Sequence, residues 1–197
     1  TTIADLEGGF GALGFASGMA ATHCATMLLN AGDHLVAGAD IYGGTYRLLH
    51  KICNRAGVSV TLVDNPTPLS LREAVTPRTR MIWLESPGNP LMSITDLSEC
   101  CSEFSNDVGI LVAVDNTFAT PVLTRPLELG ADIVMHSATK YLSGHSDALG
   151  GFLVTKSKAV FEDLYFIQNA TGAVMSPFDA FLISRGMKTL DLRVRAQ

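Results

Sequence analysis

The chain has 197 residues, 47% of them hydrophobic and 17% charged, which suits one globular domain burying roughly 70% of its unfolded surface. Its net charge is −5 and no Lys/Arg run occurs, so no basic face is offered to a phosphate backbone and nucleic acid is not an expected partner. Cys24, Cys53, Cys100 and Cys101 fit neither a CxxC pair nor a zinc spacing. They read as reduced thiols of a cytoplasmic protein, and no metal site is expected.

From Gly8 to Gly32 the chain carries no carboxylate, Lys or Arg, but glycines, Ser17, His23 and Asn30 interrupt the run, so no membrane span is expected. Within it, Gly9 to Gly14 matches the GxGxxG spacing without an apolar strand in front. These glycines read as the start of a strand and as close packing, with a dinucleotide fold as the lesser alternative. No basic leader opens the sequence, so secretion is not expected and the sequon at Asn169 reads as coincidental. The start at Thr1 and a charged, helical end at Arg193 to Gln197 are expected of a segment of a longer or processed polypeptide.

In chain order, β-branched runs predict strands over 12–16, 34–37, 58–63, 81–85, 110–115, 133–137 and 152–155. Helical periods between them predict helices over 19–29, 45–56, 69–75, 96–104 and 157–169. Gly32 and Gly57 read as C-caps and Ser176-Pro177 as an N-cap with Pro at N1. No repeat or linker divides the chain, though from about Ser176 helices follow one another without strands. Alternating strands and helices predict an α/β fold, a mostly parallel seven-stranded sheet with helices on both faces. In such sheets the strand carboxyl ends line the ligand crevice, which would bring together Ser17, Glu85 with Ser86, Asp115, and Ser137 with Lys140.

Lys140, in Ser137-Ala138-Thr139-Lys140-Tyr141, follows a strand and is flanked by two hydroxyls. It could form a Schiff base while Ser137 and Thr139 hold a phosphate, or it could be a surface lysine in a loop. Asp115 ends an apolar strand and opens Asp115-Asn116-Thr117-Phe118. It could pair with a protonated pyridine nitrogen, or simply cap a βα loop. Ser17-Gly18-Met19 joins a strand to a helix, where free N–H groups and the helix dipole favour a phosphate. Tyr42, before Gly43 and Gly44, could lie over a planar cofactor and serve proton transfer, or belong to core or rim. The two-proline turn Ser86 to Pro90 would hold Asn89 toward the crevice, although a plain turn explains it equally well. Of the histidines only His145 lies near the lysine; His23, His34, His50 and His136 read as structural.

Taken together, Ser137-Ala138-Thr139-Lys140-Tyr141 with Gly144-His145-Ser146-Asp147, Val114-Asp115-Asn116-Thr117-Phe118, Glu85-Ser86-Pro87-Gly88-Asn89-Pro90 and Tyr42-Gly43-Gly44-Thr45 closely resemble the Cys/Met-metabolism family of pyridoxal-phosphate enzymes. The resemblance runs from about Leu6 to the end. It implies the fold-type I large domain over 1–190, with 191–197 starting a connection to a C-terminal domain. It implies pyridoxal 5′-phosphate as cofactor, Lys140 as the imine-forming residue, Asp115 as partner of the pyridine nitrogen and Tyr42 stacked on the ring. It further implies phosphate contacts from Gly18, Met19, Ser137 and Thr139, and cofactor contacts from Asn89 and Thr117.

The partner implied is a small sulfur amino acid, handled by a homo-oligomer that is a dimer of dimers at full length. Gly44 stands where methionine γ-lyases carry a cysteine. The tail from Gln168 to Val174, with Ser176-Pro177 and Arg185 to Leu190, looks like γ-lyases and many γ-synthases. The reading is therefore a carbon–sulfur lyase of the cystathionine γ-lyase type, with cystathionine γ-synthase as the alternative. Family members extend further at both ends, where an N-terminal arm and a C-terminal arginine complete the site. A cofactor-binding chain without activity of its own is accordingly the third reading.

Overall fold

The computed structural model describes residues 2–105 and 107–197. The chain runs α1 (Thr2–Glu7), β1 (Gly11–Phe15), α2 (Gly18–Thr26), β2 (His34–Gly38) and α3 (Gly43–Arg47), which widens into a π-helical segment (Leu48–Cys53). Then come β3 (Ser59–Val63), α4 (Pro68–Ala74), β4 (Thr79–Glu85), α5 (Leu97–Phe104), β5 (Leu111–Asp115) and α6 (Thr120–Leu123). The last elements are β6 (Ile133–Ser137), β7 (Gly151–Thr155), α7 (Lys158–Thr171), α8 (Pro177–Met187) and α9 (Leu190–Ala196).

All the strands form one seven-stranded sheet in the order β1-β7-β6-β5-β4-β2-β3. The pairs β2/β3, β2/β4, β4/β5 and β5/β6 are parallel, each joined through helical crossovers. Residues 138–150 connect β6 to β7 without a crossover helix, so β7 runs antiparallel to β6 and to β1. That connection carries Lys140. The sheet is thus mostly parallel, as its alternating pattern predicts.

Side chains alternate between two apolar layers because successive residues of a strand point to opposite faces. On β2, Leu35 and Ala37 join a core with α2, the π-helical segment and Leu164 of α7, whereas Val36 joins α4 and α5 across the sheet. Farther along that second face, Val134 and Val154 pack with α1, α8 and α9 through Ile3, Ile183 and Leu190. Trp83 in β4 is fully buried, and truncation of such a side chain to Ala costs about 3–5 kcal/mol.

Some local expectations differ from the structure and others hold. The helix predicted over 45–56 begins at Gly43, because the backbone N–H of Tyr42 is held by Glu85 and the chain turns into the helix directly afterwards. Gly32 and Gly57 are left-handed (φ 97° and 85°), but they lie beyond the helix ends and close the turns into β2 and β3. Gly172 (φ 70°) is the left-handed C-cap of α7, and Ser176 caps α8 through the N–H of Asp179 with Pro177 in the first turn. The glycines at 9 and 11 serve close packing: an added Cβ would come within 2.5 Å of Val154 and 2.7 Å of Phe161. Among the described residues no helix is long and apolar enough to cross a membrane.

Candidate active site

Register across the sheet brings chemistry to one rim. Glu85 is the partner of Asp115, Asp115 of Met135, and Ser137 of Gly151, which also pairs with Phe15 just before Ser17. At this rim lies a cavity of about 360 Å³ lined by Gly18, Met19, Tyr42, Asn89, Asp115, Thr117, Ser137, Thr139 and Lys140. Except for Ser86, whose hydroxyl is tied to the Thr95 backbone and which lines a separate cavity, the residues singled out for the site from sequence therefore reach the same space. Its size suits a small molecule. Ser17, Glu85, Phe118, Met135 and Leu149 complete the wall. Met135 follows from the two-residue strand period that places it on the face of Ser137; Leu149, on a loop, has no local signal.

One corner is built for an anion. Ser17 caps α2, its Oγ accepting from the N–H of Ala20 at 3.1 Å. Gly18 and Met19, first in the helix, have N–H groups with no partner inside it. Gly18 lets the turn lie against β6, since an added Cβ would stand 2.9 Å from Cβ of Ser137. Gly151 does the same from beneath: a Cβ there would be 2.3 Å from the Ser17 carbonyl oxygen. Ser137 donates its N–H to Thr117 Oγ1 at 2.8 Å. Thr139 exchanges hydrogen bonds with the backbone of Gly150 at 3.2 and 3.3 Å, so its hydroxyl is partly engaged in fastening the turn.

The opposite wall carries two buried carboxyls. Asp115 Oδ1 accepts from the N–H (3.0 Å) and hydroxyl (2.5 Å) of Thr117, so Thr117 ties Asp115 to Ser137. Glu85 Oε2 accepts from the N–H of Tyr42 at 2.8 Å. Burial, followed by the neighbouring Asp115 charge, pushes Glu85 up to about 9, while the Tyr42 N–H opposes. Burial also pushes Asp115 up, against the two Thr117 hydrogen bonds and the charge of His136. With two donors against one, Asp115 is the member of the pair that better holds a negative charge. No ion pair neutralises it among the described residues, and a cationic N–H entering the cavity would do so.

Asn89 comes from the two-proline turn, which Asp40 fastens by accepting from the N–H groups of Leu91 and Ser93 and from the Ser93 hydroxyl at 2.6 Å. Lys140 is exposed at the mouth, on a turn closed by Lys140 N–H to Ser137 O (3.2 Å) and Gly144 N–H to Lys140 O (2.8 Å). His145 bonds the Ser143 carbonyl and does not line the cavity. His136 is buried against Glu7 at 2.6 Å, and His34 lies between Thr61 and Thr79. Among the described residues no three His, Cys, Asp or Glu side chains group as metal ligands do, and all four cysteines are free and buried.

An anion corner, with a buried carboxylate and an amine that have no ion-pair partner among the described residues, on one 360 Å³ cavity fits a flat, phosphorylated, cationic heteroaromatic aldehyde. The comparisons with known proteins agree. The profile of the Cys/Met metabolism PLP-dependent enzymes matches residues 1–197. The chain is 50% identical over 194 residues to a cystathionine gamma-lyase of Bacillus subtilis, covering 98% of this chain and 51% of that protein. A cystathionine gamma-synthase of Mycobacterium tuberculosis is likewise 50% identical, with 98% of this chain and 50% of that protein covered. A crystal structure of cystathionine gamma-lyase from Lactobacillus plantarum complexed with L-serine superimposes with a TM-score of 0.94 at 45% identity, covering 96% of this chain and 50% of that one. The chain spans about half the length of these relatives. It belongs to the Cys/Met metabolism PLP-dependent enzymes, whose cofactor is pyridoxal 5′-phosphate.

Proposed function

We propose that residues 1–190 form the cofactor-binding domain of a trans-sulfuration enzyme of the cystathionine γ-lyase type, which converts cystathionine to cysteine, 2-oxobutanoate and ammonia. The observation that carries this reading is the presence of Lys140 and Asp115 on the wall of one cavity, with the free N–H groups of α2 at its corner.

Bound pyridoxal phosphate supplies an electron sink for the pair released at the substrate Cα. Gly18, Met19, Ser137 and Thr139 hold its phosphate. Asp115, supported by Thr117, keeps the proton on the ring nitrogen, and Tyr42 covers the ring. Asn89 gives a polar contact from the proline turn. The Lys140 amine would take the proton from the substrate Cα and hold it for delivery to the sulfur, so that the thiolate released when the carbon–sulfur bond breaks departs as cysteine.

Within the family, Gly44 speaks against methionine γ-lyase activity. A Cβ there would lie 2.4 Å from the Tyr42 ring and 2.8 Å from Met19 Sδ, so the observed Tyr42 placement requires glycine. The tail that resembles γ-lyases lies away from the cavity: Gln168 is buried and donates to the Gly14 carbonyl at 2.6 Å. We also propose a homo-oligomer, consistent with Phe166, Phe178 and Phe181 on the outside of α7 and α8 at 72%, 70% and 63% exposure. The test is product analysis with cystathionine, and separately with O-succinylhomoserine plus cysteine. Release of 2-oxobutanoate from cystathionine supports the γ-lyase reading; cystathionine formation alone replaces it with γ-synthase.

A further inference from the structure

Arg193, outside the cavity wall, sits on α9 and uses its guanidinium in an unusual way. Its Nη1 donates to the carbonyl of Tyr141 at 2.8 Å, its Nη2 to the carbonyl of Gly186 at 2.8 Å, and its Nε to Thr189 Oγ1 at 3.0 Å. None of these partners is a carboxylate, and among the described residues Arg193 makes no salt bridge. Tyr141 is the residue after Lys140. One planar fork thus ties the turn that bears the lysine to the end of α8 and the start of α9.

The turn is shaped to receive it. Gly144 is left-handed (φ 71°), its N–H closes the turn onto the Lys140 carbonyl, and an added Cβ would stand only 2.0 Å from Arg193 Nη1. From the other side, Gly186 lets α8 press on the same turn, since a Cβ there would meet the Ser143 carbonyl oxygen at 2.1 Å. With its side chain exposed and making no hydrogen bond or ion pair among the described residues, Lys140 owes its position to its backbone, and Arg193 holds that backbone.

We propose that Arg193 is a positioning residue for Lys140, setting where the lysine amine stands relative to the cavity. This rests on the reading of Lys140 as the residue that bonds the cofactor. A displacement of 1 Å at a reacting group can cost on the order of 10²-fold in rate.

The experiment compares two probes on the purified protein. Pyridoxal phosphate can bond Lys140, whereas pyridoxamine phosphate has the same ring and phosphate but no aldehyde. Arg193→Lys keeps the charge without the fork, and Arg193→Ala removes both. The expected result is at least ~10-fold slower appearance of the visible absorbance with pyridoxal phosphate in both variants, with pyridoxamine phosphate affinity within about twofold of the parent. If Arg193→Ala fails to fold by circular dichroism, Arg193→Lys decides. Unchanged rates, or equal weakening toward both probes, overturn the proposal. A Lys140→Ala control separates the two ideas: visible absorbance that survives in that variant removes Lys140 itself, whatever Arg193 does.

Discussion

Gly151→Ala is the substitution whose effect follows most directly from the geometry. Gly151 opens β7 between Ser137 of β6 and Phe15 of β1, directly under the Ser17-Gly18 turn. An added Cβ would lie 2.3 Å from Ser17 O, 2.7 Å from Ser17 C and 2.8 Å from Gly18 Cα. All are backbone atoms, so no side chain can swing aside, and reaching ordinary contact needs a shift of about 1 Å at the α2 start. Overpacking of this kind costs about 1–3 kcal/mol. At about 2–4 °C per kcal/mol for a chain of this size, Tm falls by about 2–12 °C.

The same shift moves the corner where the phosphate is proposed to sit, so pyridoxal phosphate affinity falls with stability. Gly32→Ala is the control. Its φ of 97° makes alanine strained, but nothing lies within 4 Å of the added Cβ and the turn is remote from the cavity. It should cost about 1–2 kcal/mol and leave cofactor affinity unchanged. Thermal unfolding and an absorbance titration read both quantities. Equal cofactor affinity in the two variants, or an unshifted Tm for Gly151→Ala, would refute the reasoning.

Glu85, pushed up to about 9 from an ordinary 4.5, keeps a proton in the folded protein that the unfolded chain has lost. The unfolded state then binds fewer protons between those values, so stability is full below about 4.5 and declines as pH rises toward about 9. Glu85→Gln retains an acceptor for the Tyr42 N–H and should flatten that decline in Tm measured from pH 5 to 9; a slope identical to the parent's would show that Glu85 is ionised across the range. Asp115→Asn should weaken cofactor binding and slow the proposed cystathionine turnover by ~10³-fold, about 4 kcal/mol of barrier. Unchanged turnover would take Asp115 out of its proposed role.

The cavity wall was legible where chemistry sits at the end of an apolar strand. Asp115 after Leu111 to Val114, and Ser137 after Ile133 to His136, are marked by the change from β-branched run to polar residues, and parallel register does the rest. Ser17-Gly18 was legible because a strand-to-helix turn has its own cap chemistry. Contacts made across long sequence separations carried no such mark. Asp40 holding the Asn89 turn, Glu7 of α1 buried on His136, and Arg193 reaching Tyr141 each join segments whose local sequences say nothing of one another. The short helices α1 and α6 leave no sequence signal for a related reason: four to six residues are too few to show a helical period, and tertiary packing holds them.

The central claim is that the Lys140 amine bonds the cofactor in the cavity it shares with Asp115. Borohydride reduction of the protein loaded with pyridoxal phosphate, followed by peptide mass mapping, tests it most directly. The account predicts one reduced phosphopyridoxyl group, on the peptide bearing Lys140, and none in Lys140→Ala. Attachment at any other lysine, or a trapped cofactor in Lys140→Ala, would contradict it.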